Sequence, residues 1–343
     1  MPDLWTRRGL TLGIAALGAG AFLLLGLPLP LLLGPMLACL IAALMGARMA
    51  DMGAAGTFLR TFLGVAVGAS ITPELLAGLP AMAGSLAFVP LYIVTIGAVG
   101  YPLFRKAFGF DHATAWYAAM PGGLQDMIVF GQEAGGDVRA LSLIHATRVL
   151  AIVTLAPLLM TWLWQVDLTR PPGQPASAME PRDIALMLAA GLVGWKLAER
   201  VRLFGASILG PMILTAALSL TGFIDQRPPA EMIWAAQLFI GLSVGVRYTG
   251  ITGRELRRDV GAGLAYAALL AGLALVFIEL VALSGLAPQL DAFLSFLPGG
   301  QAEMVVIAIL AGADLAFVVS HHLLRLVLVI TLAPVAARLL GVR

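Results

Sequence analysis

"MPGGLQDM", residues 120–127, and "LPGGQAEM", residues 297–304, interrupt two otherwise apolar stretches with a proline, two glycines, an amide and an acid. Subtraction gives 298 − 121 = 177 for the prolines. The same offset relates Gly64 to Gly241, Gly68 to Gly245, Thr72 to Thr249, Asp126 to Glu303, Asp137 to Asp314, His145 to His322, Arg148 to Arg325 and Pro157 to Pro334. Upstream, Gly34 and Pro35 match Gly210 and Pro211 at an offset of 176, which requires one inserted residue between. A constant offset over so many polar and glycine positions is the mark of duplication. It divides the chain into a first membrane repeat, 1–166, a proline-rich linker, 167–182, and a second membrane repeat, 183–343.

Of the 343 residues, 60% are hydrophobic and 12% charged, against roughly 45–50% and 25% in soluble domains. Apolar blocks at 10–27, 31–47, 58–76, 79–104, 113–133 and 138–164, with six similar blocks after residue 183, mostly reach the roughly 20 helical residues that a bilayer core requires. The expected fold class is an all-α polytopic membrane protein. The net charge of +2 comes from loop arginines and forms no basic cluster, so no nucleic-acid partner is expected. Cys39, the single cysteine, excludes an intramolecular disulfide and reads as a small packing residue. Arg7 and Arg8 before an apolar run imitate a secretory signal. The recurrence of "LLLGPM" (31–36) as "SILGPM" (207–212) instead makes the first block the counterpart of an internal helix.

Loop charges indicate which way each half runs. In the first half they fall at the N-terminus (Arg7, Arg8), between blocks two and three (Arg48) and between four and five (Arg105, Lys106). In the second they fall between blocks one and two (Lys196, Arg200, Arg202) and between three and four (Arg254, Arg257, Arg258). The charged loops have changed sides, so with positive loops cytoplasmic each half crosses an odd number of times. One of the six blocks in each half then does not span. The block carrying Pro-Gly-Gly is the natural exception, as a re-entrant hairpin or a broken helix. About ten crossings in inverted repeats follow, with both termini cytoplasmic in a bacterial inner (plasma) membrane.

Irregular backbone at membrane depth survives only where protein buries it or water reaches it. The two turns therefore point to a binding site built from Pro121, Gly122, Gly123 and Gln125 with Pro298, Gly299, Gly300 and Gln301. Half-helix ends would present N–H groups to anions and carbonyls to cations. Asp126 and Glu303 add carboxyls beside the turns. Asp137, His145 and Arg148, with Asp314, His322 and Arg325, share one helical face in each half. Ionisable groups inside a membrane are costly to leave unpaired, so they read as functional or as a network holding the halves together. Arg148 and Arg325 are assigned to solute binding. Asp126, Glu303, Asp137, Asp314, His145 and His322 are assigned to coupling with H⁺ or Na⁺, histidine being able to titrate near neutral pH. Four histidines and one cysteine give no zinc spacing, and no G-x-S-x-G or P-loop is present. No enzyme activity, metal or cofactor is expected.

The paired "PGG" motifs, the paired "LGPM" and the helices carrying "HATR" (145–148) and "HLLR" (322–325) resemble the membrane AbrB-duplication family over essentially the whole chain. Members of that family carry labels such as ammonia monooxygenase or AbrB-type regulator. In architecture the duplicated unit looks like the ten-crossing secondary transporters of the cation-antiporter and anion-symporter kind. The resulting expectation is an ion-coupled carrier of a small polar or anionic solute working by alternating access in the lipid bilayer, compatible with a homodimer. The alternative is a membrane-embedded ligand sensor that regulates gene expression without transport.

Overall fold

The computed structural model describes residues 3–203 and 205–342; the side chains of Glu74, Leu75, Leu79, Gln125 and Ala302 lie outside that description. Every regular element among the described residues is helical. The first half contains α1 (Leu4–Leu24), α2 (Pro30–Leu44), α3 (Ala54–Gly68), α4 (Phe88–Pro102), α5 (His112–Ala119), α6 (Leu124–Glu133) and α7 (Val138–Trp164). The second runs through the same series as α8 (Pro181–Arg200), α9 (Ala206–Leu220), α10 (Ala230–Val246), α11 (Gly261–Leu283), α12 (Gln289–Phe296), α13 (Gln301–Ala311) and α14 (Leu315–Leu339). The last three begin 177 residues after α5, α6 and α7, so the duplication extends to the helix boundaries.

Local chemistry sets those boundaries. Asp3 and Asp111 cap α1 and α5 by accepting from the backbone N–H of Thr6 at 2.7 Å and Thr114 at 2.8 Å. Pro30 and Pro181 open α2 and α8 at the position where a missing N–H costs nothing. Gly135 at φ 83° and Gly312 at φ 65° follow α6 and α13 in the left-handed region that glycine enters without strain.

Five stretches are long and apolar enough to cross a bilayer: Leu4–Leu24, Pro80–Ala107, Val138–Trp164, Gly253–Leu283 and Leu315–Leu339. They mark an integral membrane protein. Four further apolar helices, α2, α3, α9 and α10, have 15 to 17 residues. At 1.5 Å per residue they extend about 22–26 Å.

By internal packing the chain divides into two units, each drawing on both halves of the sequence. The first comprises Met1–Gly78, Ala156–Ile251 and Ala302–Ala316; the second comprises Leu79–Leu155, Thr252–Gln301 and Phe317–Arg343.

In the first unit the halves exchange partners. α3 packs on α9 and α10 packs on α2. A Cβ on Gly68 would stand 2.5 Å from the Met212 carbonyl oxygen, and one on Gly245, its counterpart, 2.6 Å from that of Met36. Small residues are what let helix backbones approach this closely where no hydrophobic effect drives association. The matched glycines Gly64/Gly241 and Gly68/Gly245 are therefore packing residues.

In the second unit α4 and α11 run antiparallel. Tyr92, near the start of α4, lies 4.8 Å from Phe277 near the end of α11, while Phe104, just past α4, lies 4.9 Å from Tyr266 near the start of α11. These helices are equivalent in the repeat, and each carries a five-residue π-helical turn, Leu103–Ala107 after α4 and Leu256–Val260 before α11. The two turns share one end of the unit, where Arg258 lies 4.1 Å over the Phe110 ring and Arg139 pairs with Glu255 at 2.9 Å.

Candidate functional site

The broken element of the first half is a hairpin. α5 has 8 residues and α6 has 10, about 12 and 15 Å, and the chain leaving α6 returns to the start of α5. There the Asp137 N–H donates to Thr114 Oγ1 at 2.8 Å, while partway back the Tyr117 and Phe130 rings lie 6.2 Å apart. The sequence leaves open a re-entrant hairpin or a crossing broken helix, and the chain folds back.

The break itself is extended backbone, with Met120 at φ −81°, ψ 130° and Gly123 at φ −61°, ψ 139°; Leu297 repeats this at φ −67°, ψ 123°. Glycine is not needed there for a positive φ. What Gly122 supplies is space, since a Cβ would stand 2.7 Å from Met127 Cε and 3.0 Å from Val329 Cγ1 on α14.

A helix that stops inside the protein leaves carbonyls without partners. The histidine and arginine of α7, three residues apart on one face, meet two of them. His145 Nε2 bonds the Tyr117 carbonyl at 3.0 Å and Arg148 Nη2 donates to the Gly122 carbonyl at 3.2 Å. α14 repeats the device on α12, with His322 Nε2 on the Leu294 carbonyl at 2.9 Å and Arg325 Nη2 on the Gly299 carbonyl at 3.3 Å. All four pairs obey the 177 offset. The Tyr266 hydroxyl closes a third carbonyl, that of Ala119. Five of the carbonyls that the sequence leaves for a ligand or cation are thus held by the protein's own donors.

The second half has a bond whose counterpart is absent among the described residues of the first. Arg325 Nη2 also donates to His322 Nδ1 at 2.9 Å. Arginine can only donate and a carbonyl can only accept, so His322 is neutral with its proton on Nε2. His145 also presents Nε2 to a carbonyl, but its buried Nδ1 has no hydrogen-bond partner among the described residues.

Both arginines are buried, Arg148 at 2% and Arg325 at 6% exposure. Each lies within electrostatic reach of the other and of the Tyr92 hydroxyl. Nε and Nη1 of Arg325 have no hydrogen-bond partner among the described residues, and no carboxylate pairs with this guanidinium there. The Tyr92 and Ser295 hydroxyls and Gln301 Nε2 are also buried without hydrogen-bond partners among the described residues. Nothing in the sequence marks Tyr92 or Ser295 for this place. A tyrosine in an apolar block reads as packing, and Ser295 has Ala118 as its counterpart.

The remaining predicted residues are spread more widely. Asp126, third in α6, turns its carboxylate back against Gly123, where a negative charge suits a helix N-terminus. Glu303 is third in α13 and buried, and belongs to the first unit. Asp137 is exposed and caps α7, accepting from the N–H groups of Arg139 at 2.9 Å and Ala140 at 3.0 Å. Asp314 is exposed in the same place before α14. Pro121 and Pro298 are buried in the turns, and Gly300 ends the second one. The Gln125 side chain lies outside the described residues. No three His, Cys, Asp or Glu side chains gather at metal-ligand spacing among the described residues.

Fold and site define an all-helical integral membrane protein in which two equivalent helix breaks are each held by a buried histidine and arginine. Comparison with known proteins places this class more narrowly. The chain belongs to the AbrB family: the family model described as "Transition state regulatory protein AbrB" matches residues 31–341. It is 28% identical over 334 residues to a protein of Escherichia coli (strain K12) named "Putative regulator AbrB", covering 93% of this chain and 92% of that one. It is also 26% identical over 257 residues to "Uncharacterized protein YhjN" of Bacillus subtilis (strain 168), covering 70% of this chain and 66% of that one.

Proposed function

We propose that the protein is a secondary active transporter that moves a small polar or anionic solute by alternating access, coupled to H⁺ or Na⁺. The observation that carries this reading is Arg325, a charge buried beside a broken helix with donors left over once the backbone has been served. A purely structural guanidinium at such depth is expected to be paired, because an unpaired buried charge costs several kcal/mol. Irregular helices lined with unsatisfied polar groups are the setting in which secondary transporters bind solute.

Ten crossings in inverted repeats, with both termini cytoplasmic in a bacterial inner membrane, complete the proposal. Support comes from the antiparallel course of α4 and α11, which brings the basic residues after α4 and before α11 to one end. Each half then has five crossings and one hairpin.

For coupling, His145 is better suited to carry a proton than His322. It can accept one on Nδ1 without giving up a hydrogen bond, although its burial first and Arg148 beside it second oppose a positive charge there. His322 would first have to release Arg325. Asp126 and Glu303 are the carboxyls proposed for the coupling ion, whereas Asp137 and Asp314 suit helix ends. The test is solute flux in proteoliposomes under imposed H⁺ and Na⁺ gradients. If neither gradient drives any flux, and Asp126→Asn with Glu303→Gln changes nothing, the proposal fails.

A second reading takes its support from the name of the Escherichia coli relative: the same site would sense a ligand and report it to a regulatory partner. It predicts binding without flux and a stable cytosolic partner.

A further inference from the structure

The sequence leaves the solute as any small polar or anionic molecule, and the buried groups of the second unit narrow it. We propose that Arg325 and Tyr92 form a binding subsite for a small oxyanion, a carboxylate or phosphate group, with Arg148 supplying a second positive charge. This rests on the transporter reading for its purpose but not for its chemistry.

Arg325 spends Nη2 on the Gly299 carbonyl and His322 Nδ1, and keeps the N–H groups of Nε and Nη1. The side chain is more than nine-tenths buried. Tyr92, 1% exposed, is clamped by the rings of Phe277 at 4.8 Å and Phe296 at 5.7 Å, and its hydroxyl has no hydrogen-bond partner among the described residues. Phe296 is the last residue of α12, directly before the turn whose carbonyl Arg325 holds. The same turn thus orients both donors.

The groups that Arg325 touches through hydrogen bonds are a carbonyl and a neutral imidazole, which accept bonds but cancel no charge. The nearby Arg148 makes the local field more positive. A neutral solute would leave that field standing, and a cation would meet repulsion. An anion supplies the missing counter-charge, and charge-assisted bonds to arginine are about twice as strong as neutral ones. A halide is one centre and serves separated donors poorly. An oxyanion offers several acceptor atoms, so one oxygen can take the arginine N–H groups while another takes the tyrosine hydroxyl.

Tyr92 has no polar counterpart in the second half, where Leu269 stands at the 177 offset. The subsite is therefore single, and one oxyanion per chain is expected, although the arginines come as a pair.

The experiment is equilibrium binding by calorimetry on the purified full-length protein, using sodium acetate, succinate, phosphate and chloride at constant Na⁺ and pH. Saturable binding of acetate or succinate assigns a carboxylate, and of phosphate a phosphate group, either at one per chain. Tyr92→Phe removes one hydrogen bond and should weaken the bound oxyanion about tenfold, as for a bond of about 1.4 kcal/mol. Arg325→Gln should abolish binding, and Arg325→Lys, which keeps the charge without the spread donors, should weaken it by more than Tyr92→Phe does. The proposal is overturned if none of the oxyanions binds, if chloride binds as well as they do, or if Tyr92→Phe leaves Kd unchanged. Flux assays keep the two readings separable. Oxyanion binding without flux would sink the transporter and leave the subsite, while flux of a solute with binding unaltered by Tyr92→Phe would do the reverse.

Discussion

Arg325→Met tests whether the buried arginine is there for the fold or for a ligand. The substitution keeps the length of an apolar stem and removes the guanidinium. Two acceptors, the Gly299 carbonyl and His322 Nδ1, lose their donor, at about 1–3 kcal/mol each. Against this, the partnerless donors Nε and Nη1 disappear, and unmet buried donors cost the same about 1–3 kcal/mol each. The two sides cancel to first order. What remains is the charge: desolvating an ion costs several kcal/mol, and no carboxylate among the described residues offsets it at Arg325. Repulsion from Arg148 adds to the cost. Water and counter-ions relieve part of it, so the variant should be more stable than the parent by about 1–3 kcal/mol while losing oxyanion binding. Stability is to be read from chemical unfolding of the purified protein in detergent without added oxyanion, followed by tryptophan fluorescence. A loss of about 3 kcal/mol or more, the size seen when one partner of a buried ion pair is removed, would refute the reasoning and make Arg325 structural.

Three further sets of substitutions probe different parts of the molecule. Gly68→Ala and Gly245→Ala each drive a Cβ against a neighbouring helix backbone and should cost about 1–3 kcal/mol in the same unfolding assay, whereas Gly13→Ala, inside α1 with nothing within 4 Å, should stabilise by up to about 1 kcal/mol. Asp137→Ala should cost about 1 kcal/mol as a lost cap and Asp137→Asn much less; if Asp137→Asn instead abolishes ion-driven flux with stability intact, Asp137 is a coupling residue. In the linker, the Thr169 hydroxyl at 2.6 Å, then the Thr169 N–H and Arg170, hold the Asp167 carboxyl below the usual carboxylate range. Stability from such a depressed group is present above its unfolded pKa and lost as pH falls through its folded one, so Thr169→Val should raise the Asp167 midpoint in a carboxyl NMR titration.

Much of the architecture was legible in the chain because it is periodic and repeated. Apolar blocks of bilayer length could only be helices, and the offset of 177 identified Gly68 with Gly245, His145 with His322 and Arg148 with Arg325. Proline and glycine in mid-block marked where a helix had to stop. Those inferences rest on local rules of length, composition and backbone freedom. The offset could not separate reasons for a match, however, and the glycine pairs proved to be packing contacts in one unit while the histidine and arginine pairs are hydrogen-bond donors in the other.

The tertiary structure decided what depends on contacts between residues far apart. It turned the first PGG segment into a hairpin, because Thr114 receives the N–H of Asp137 across 23 residues. It gave the PGG carbonyls to Arg148 and Arg325, and so moved the unsatisfied groups from the backbone to the side chains. It also brought in Tyr92, which no repeat or motif singles out. Helix length and breakage are written along the chain, whereas which donor meets which orphaned acceptor is set only when separate helices pack together, and the leftover donors mark the candidate site.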